Sequence, residues 1–223
     1  GWIRSITSEL GNKSCYDYDS MGRLTSQTLP SETSVGVCDA SAWTPTTWVF
    51  AQVNSAEYGV EAGHWKRTET TGARTSEAFY DALWRPIFTR QSNSDASANV
   101  RTARRSFDYA GREVFASYPG HDVANYLTLA TGMRTRYDGL GRVLNTEMDS
   151  ELSPAILRSS TAYLPGFTSQ FTNQRNFATT TSYQAFDQPS TDAPMQISAP
   201  ENQTTTYTRD VFGKPLSMTR SGS

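Results

Sequence analysis

Two histidines, two cysteines and twenty-two carboxylates are the side chains from which a reactive centre would have to be built. His64 precedes Trp65 in a strand-like run, and His121 follows Pro119-Gly120, a turn. A Ser-His-Asp set can be written from His121, Asp122 and a serine, but no Gly-x-Ser-x-Gly elbow accompanies it. Both histidines therefore read as turn or surface residues. Glycosidase chemistry needs two carboxylates in facing positions. Asp17 and Asp19 alternate along one strand face, as do Glu147, Asp149 and Glu151. The favoured reading makes Asp19 a turn residue and the others solvated edge charges. No EF-hand-type loop gathers acids for a cation. Gly139-Leu140-Gly141 opens no helical pattern, so it is not a dinucleotide fingerprint. Cys15 and Cys38 lie 23 positions apart. A bond between them would be worth about 3 kcal/mol in the chain-entropy model. Without a CxxC pair or a larger cysteine framework, the expectation is two reduced, buried thiols. No catalytic, cofactor or metal site is expected, and the chain is not read as an enzyme.

Non-covalent chemistry has more to work with. Aromatics make up 12% of the residues, and about 17 Arg stand against 3 Lys. Rows of Tyr and Trp can stack on sugar rings, and Arg can hold sulfate or carboxylate groups bidentately. That would make a carbohydrate-binding or cell-surface adhesion module. The same rings also form ladders that stabilise a sheet through cross-strand pairs, and this structural account is preferred. Arg101, Arg104 and Arg105 form the one tight basic cluster, read as a solvated loop before Phe107. A formal charge of -2 and a pI near 5.7 supply no field for nucleic acid or an anionic membrane. Apolar runs such as Trp48-Val49-Phe50-Ala51 are far too short to cross a bilayer.

The elements that would carry these side chains are strands. Thr and Ser together number about 55 of 223 residues, and with the aromatics they favour a pleated, half-buried surface. Sustained helical periodicity is missing almost everywhere, and the text instead repeats. Tyr18-Asp19-Ser20-Met21-Gly22-Arg23-Leu24 aligns with Phe107-Asp108-Tyr109-Ala110-Gly111-Arg112-Glu113. Tyr137-Asp138-Gly139-Leu140-Gly141-Arg142-Val143 and Arg209-Asp210-Val211-Phe212-Gly213-Lys214-Pro215 complete the set. Each holds Asp-x-x-Gly followed by a cation, where this composition would yield about 0.07 matches by chance. Weaker copies are Tyr80-Asp81-Ala82-Leu83-Trp84-Arg85-Pro86 and Tyr183-Gln184-Ala185-Phe186-Asp187-Gln188-Pro189. From Asp19 through Asp81, Asp108, Asp138 and Gln184 to Asp210, the spacings are 62, 27, 30, 46 and 26 residues. The first gap has room for an unmarked unit, with strand-like text at Trp48-Val49-Phe50 and His64-Trp65-Lys66-Arg67. The 46-residue gap has room for a degenerate unit around Arg158 to Phe177, turning at Leu164-Pro165-Gly166-Phe167.

Asp at the first position of a type I turn accepts from the backbone two residues on, and Gly suits the fourth. Followed by a left-handed Gly, such a turn makes the G1-bulge connection of a hairpin. The Arg after Gly re-enters the sheet, where its fork reaches the turn carboxylate or lies along a ring. The residues singled out are thus Asp19, Gly22, Arg23, Asp81, Arg85, Asp108, Gly111, Arg112, Asp138, Gly141, Arg142, Asp210 and Gly213. Asp187 at the Gly position is tolerable, since Asp visits left-handed conformations. Trp84 is not, so the turn at Asp81 is expected to differ and to keep φ negative at Trp84. Pro86, Pro189 and Pro215 lack a ladder donor and should start strands. Ser76 to Leu83 has a faint helical pattern, but its alignment with the repeat makes it a strand.

These residues resemble the YD repeats of the Rhs family, which run aromatic, Asp, two variable residues, Gly, Arg and an apolar residue. The resemblance covers Tyr16 to Met218. Related chains are bacterial Rhs polymorphic toxins, encapsulating components of insecticidal toxin complexes, and teneurins. It implies a long β-sheet winding into a hollow shell, which in bacterial members encloses a toxic C-terminal polypeptide. The Asp-Pro autoproteolysis motif of bacterial shells does not occur here.

The expectation is an all-β chain of consecutive hairpins forming a curved, spiralling antiparallel sheet, an open arc of a shell. Residues 1–223 read as one repeat region within a longer chain, with copies near 16–30, 78–90, 105–118, 135–148, 181–190 and 205–219. The opening Gly1-Trp2-Ile3-Arg4 carries no signal-peptide pattern, and both ends look cut. Its expected function is a structural wall segment of an Rhs-type β-shell that carries a C-terminal toxin or effector. Expected partners are other repeats of its own chain, the enclosed polypeptide, further copies through open sheet edges, and, on the alternative reading, a glycan. Neither nucleic acid nor membrane insertion is expected. The expected location is secreted or at the cell surface, as part of a larger bacterial protein.

Overall fold

A computed structural model describes the chain except for residues 42, 97, 98, 186–189 and 223. Two compact units divide it, 1–130 and 131–223. In the first, nine strands pair antiparallel in chain order: β1 Ser5–Thr7, β2 Lys13–Tyr18, β3 Leu24–Thr28, β4 Thr46–Val53, β5 His64–Thr71, β6 Arg74–Tyr80, β7 Pro86–Asn93, β8 Arg101–Phe107 and β9 Glu113–Ser117. The second continues the same pattern with β10 Gly132–Tyr137, β11 Val143–Asp149, β12 Ile156–Leu164, β13 Thr168–Thr172, β14 Ala178–Tyr183, β15 Pro194–Ser198, β16 Thr204–Arg209 and β17 Pro215–Ser221. Single 3-10 turns at Ser94–Ala96 and Tyr126–Thr128 are the only helical pieces among the described residues. The fold is all-β, in keeping with the Thr and aromatic content.

Strand texts fall where the sequence places them. Trp48–Phe50 lies in β4, His64–Arg67 in β5 and Ser76 in β6. Pro86 and Pro215 open β7 and β17, where a missing ladder donor costs least. Pro165 to Phe167 turn between β12 and β13, so the long gap does hold an unmarked hairpin. Pro189 and Asp187 lie outside the described residues.

Several expectations are overturned. Arg101, Arg104 and Arg105 belong to β8 rather than to a loop, because Arg104 lies over the rings of Phe115 and Tyr126 at 5.2 and 5.7 Å. His64 is buried at the start of β5 rather than on the surface, because the connection before it folds back over that face. Cys15 and Cys38 form a disulfide, with their Cα atoms 6.0 Å apart, because the β3–β4 connection returns alongside β2.

Register sorts the side chains of the first unit. Gln52, Trp65 and Tyr80 stand in one row across β4, β5 and β6, whereas Lys66, Phe79 and Phe88 stand in a row on the opposite face. On that second face sits the hydrophobic cluster of Val60, Phe79 and Phe88, with Tyr58, Ile87, Val123, Tyr126 and Leu129 against it. Two connections supply the cover, residues 54–63 between β4 and β5 and the segment after β9. They meet closely: Tyr126 N–H donates to Tyr58 O at 2.8 Å, and a Cβ on Gly59 would run into the Asn125 side chain. In the second unit only Gly132, Glu147 and Ala193 are buried among the described residues. Its strands form a layer held by its ladders and cross-strand hydroxyl pairs, such as Thr146–Ser159 at 2.7 Å and Thr208–Ser217 at 2.6 Å.

Candidate functional site

The repeat turns are built from one carboxylate each. At Asp19 the Oδ1 atom accepts from the main-chain N–H of Met21 and of Arg23, both at 2.9 Å. Its Oδ2 accepts from Arg23 Nε at 2.6 Å, while Gly22 N–H returns to Asp19 O at 3.0 Å. The same bonds recur at Asp108, with Arg112 Nε at 2.8 Å, and at Asp138, with Arg142 Nε at 2.7 Å. Gly22, Gly111, Gly141 and Gly213 take φ of 82°, 82°, 84° and 82°. A register shift follows each turn's strand at Tyr18, Phe107, Tyr137 and Arg209, which is the G1-bulge arrangement. At Asp210 the cation is Lys214, which contributes its N–H at 2.9 Å. There Arg209, in the usual aromatic position, donates to Gly213 O at 2.6 Å and Pro194 O at 2.8 Å.

The turn at Asp81 corrects the sequence expectation. It is the same turn, with Trp84 itself left-handed at φ 62°. Asp81 Oδ1 accepts from Leu83 and Arg85 N–H at 2.9 and 3.0 Å, and Arg85 Nε reaches Oδ2 at 2.7 Å. These bonds dictate the backbone, and stacking compensates for the misplaced side chain. Trp84 lies 5.4 Å from the Phe50 ring and 5.2 Å from Trp65, while Phe50 and Trp65 stack at 5.1 Å.

A further copy went unread in the sequence. Asn173 Oδ1 accepts from Arg175 and Phe177 N–H at 2.9 and 3.1 Å, and Asn176 takes φ 62° where Gly would stand. The available signal was Asn173-x-x-Asn176, since Asn caps turns as Asp does and visits the left-handed region. At the weak copy starting Tyr183, Gln184 N–H bonds Ala193 O at 2.9 Å, and much of the connection falls outside the described residues.

Arg23, Arg85 and Arg142 each do a second job. Arg85 lies 4.9 Å from the Phe107 ring and donates to Asp108 O at 3.0 Å, tying one repeat turn to the next. Arg23 lies over Phe50 at 5.3 Å and Arg142 over Tyr163 at 3.8 Å. Donation from the Arg23 main chain and side chain holds the Asp19 carboxyl below the usual carboxylate range. At Asp81, Asp108 and Asp138 desolvation pushes upward, and the hydrogen bonds of the paired arginine outweigh it.

The other candidate groups do not converge. Asp17 pairs loosely with Arg4 at 3.7 Å, Asp149 pairs with Arg134 at 2.8 Å, and Glu151 is exposed; Glu147, expected as a solvated edge charge, is instead buried on β11 between two strands, 2.6 Å from Arg158. His121 is exposed, and its carbonyl accepts from Thr102 Oγ1 at 2.6 Å. His64 Nδ1 bonds Glu61 O at 2.7 Å. Beside it runs a row of alternating charges that the sequence did not reveal. Glu57 to Lys66 is 2.8 Å, Lys66 to Glu77 3.4 Å, Glu77 to Arg90 3.2 Å and Arg90 to Asp122 3.4 Å. The row fastens both covering connections to the sheet. An open groove of about 360 Å³ runs beside the first repeat turn, lined by Asp19, Arg23, Trp48, Phe50 and Arg67. Among the described residues no cluster of three or more His, Cys, Asp or Glu is placed to hold a metal, and no helix is long and apolar enough to cross a membrane.

No family model and no curated protein matches this chain. Solved structures do. The Tc holotoxin pore of Photorhabdus luminescens with the TccC3-D651A mutation superposes with a TM-score of 0.61 at 13% identity over 98% of this chain. The complex TcdB2-TccC3-Cdc42 gives 0.61 at 14% identity, also over 98%. TcdB2-TccC3 without its hypervariable C-terminal region gives 0.61 at 13% identity over 97%. In each case the chain spans 11% of the matched chain. With the Asp–Arg turns repeated at their bulges, this likeness gives the chain an Rhs/YD-repeat-like fold, that of the Rhs-repeat shells of Tc toxins.

Proposed function

We propose that this chain is a wall segment of an Rhs-type β-shell that encloses or carries another polypeptide. The observation that carries the reading is the recurrent turn whose arginine closes its own hairpin and also engages the next one, as Arg85 does with Phe107 and Asp108. Such units stack side by side without limit, and each covers what its neighbour leaves open. The role is steric rather than catalytic: paired strands keep proteases from a cargo and separate it from the cell that makes it. Its partners are other repeats of the same protein, further copies at open strand edges, and the enclosed polypeptide. Its place is secreted or at the surface, within a larger bacterial protein. Limited proteolysis of the protein as its gene encodes it tests this. A second polypeptide that survives digestion under native conditions and is lost after denaturation supports the shell; its immediate digestion while residues 1–223 persist refutes it.

The groove beside Trp48 and Phe50 favours one competing reading, a glycan-binding surface with Arg23 and Arg67 flanking the rings. Trp48 Nε1 donates to Glu69 Oε2 at 2.7 Å and Arg23 is committed to Asp19, so both groups already serve the sheet. The shell is therefore preferred.

A further inference from the structure

The connection between β3 and β4, residues 29–45, is one of the long excursions of the chain. It forms its own small hairpin, with Ser31 N–H to Val37 O at 2.8 Å and Asp39 N–H to Leu29 O at 3.0 Å. Its middle is anchored to the residues between β1 and β2 by Gly36 N–H to Gly11 O at 3.0 Å, and Val35 packs against Gly11. The covalent anchor is the Cys15–Cys38 disulfide, whose two residues are half-buried. The adjoining ladder is the shortest of any strand pair described in this unit: β3 meets β4 through Ser26–Thr47 and Gln27–Thr46, where β4 and β5 share seven pairs. Fixing Cys38 beside β2 leaves only residues 39–45 to reach β4, so the bond governs how freely this seam can part.

We propose that Cys15–Cys38 is a thiol-exchange site that latches the β3–β4 seam, closed in an oxidising compartment and released by a small thiol such as glutathione. A glutathione thiolate attacks one sulfur, forming a mixed disulfide and expelling the other cysteine as a thiolate that takes up a proton. A second glutathione thiolate attacks the mixed disulfide, leaving glutathione disulfide and two cysteine thiols. Two electrons pass from two glutathiones to one protein disulfide. Loop 29–45 then loses its covalent anchor while β5 to β7 keep their long ladders and covered face.

Hydrogen exchange read by mass spectrometry, with and without reduced glutathione, tests the latch on the whole chain. Before reduction Cys15 and Cys38 should resist alkylation; afterwards both should take up the label. Exchange in 24–47 should quicken by about 100-fold, the scale expected when a crosslink over a loop of this length is lost, while 74–93 stays protected. The double variant C15S/C38S should exchange like the reduced chain and ignore glutathione. Full alkylation without reductant overturns the proposal. So does unchanged exchange after reduction, or loss of protection at 74–93 as well, which would make the bond a general staple.

Discussion

Trp84 tests whether stacking or backbone conformation sets the stability of a repeat turn. Left-handed φ costs a bulky residue about 1–2 kcal/mol. Against that, the side chain is only 53% exposed and meets the rings of Phe50 and Trp65. Hiding about half of a tryptophan surface of roughly 250 Å² is worth at most about 3 kcal/mol at 25 cal/mol/Å². Trp84→Gly relieves the strain and forfeits the burial, for a net loss of about 1–2 kcal/mol. Trp84→Ala forfeits the burial and keeps the strain, so it should lose about 1 kcal/mol more than the glycine variant. Urea unfolding followed by tryptophan-independent far-UV dichroism ranks the three proteins. The expected order is wild type, then glycine, then alanine. A glycine variant as stable as wild type, or more so, would refute the view that the rings hold this turn together.

Gly141→Val should destabilise by about 1–3 kcal/mol, since φ of 84° admits no β-branched residue without strain; an unchanged melting temperature would count against the bulge turn. Asp19, Asp81, Asp108, Asp138 and Asp149 all titrate below the usual carboxylate range when folded. A lowered folded-state pKa gives stability that is present above the unfolded value, near 3.9, and is lost as pH falls through the folded one. The urea midpoint should thus hold level from about pH 7 to 5 and drop below about pH 4. Asp138→Asn keeps the acceptor that Asn173 uses in its own turn, gives up the Arg142 ion pair, and should flatten that acid limb. An unaltered limb would assign the acid loss to other groups.

Legibility followed the range of the interactions. The Asp-x-x-Gly turns were readable because every bond that makes them lies within five residues, and the glycine conformations followed from the same text. Trp84 broke the rule for a reason the local text cannot hold: its partners Phe50 and Trp65 sit on strands that reach it only through the sheet. Cys15 and Cys38 posed the same difficulty, since a bond between them depends on the path of the β3–β4 connection. The charge row from Glu57 to Asp122 joins five segments of chain, and nothing in their spacing announces it. Asn173 was missed through too strict a pattern, not through distance.

The arithmetic of the hairpins has a consequence for the gene. Asp19, Asp81, Asp108, Asp138 and Asp210 each head a connection that leaves an even-numbered strand and returns on an odd one, whereas the Asn173 turn joins β13 to β14 the other way. A duplication or deletion spanning two strands therefore rejoins like with like, and every downstream side chain keeps its face of the sheet. A change of one strand would turn the chain end for end and bring each following Asp turn to the wrong margin. Length can drift in this architecture by pairs alone, so recombination between copies of the repeat resizes the sheet without rewriting it.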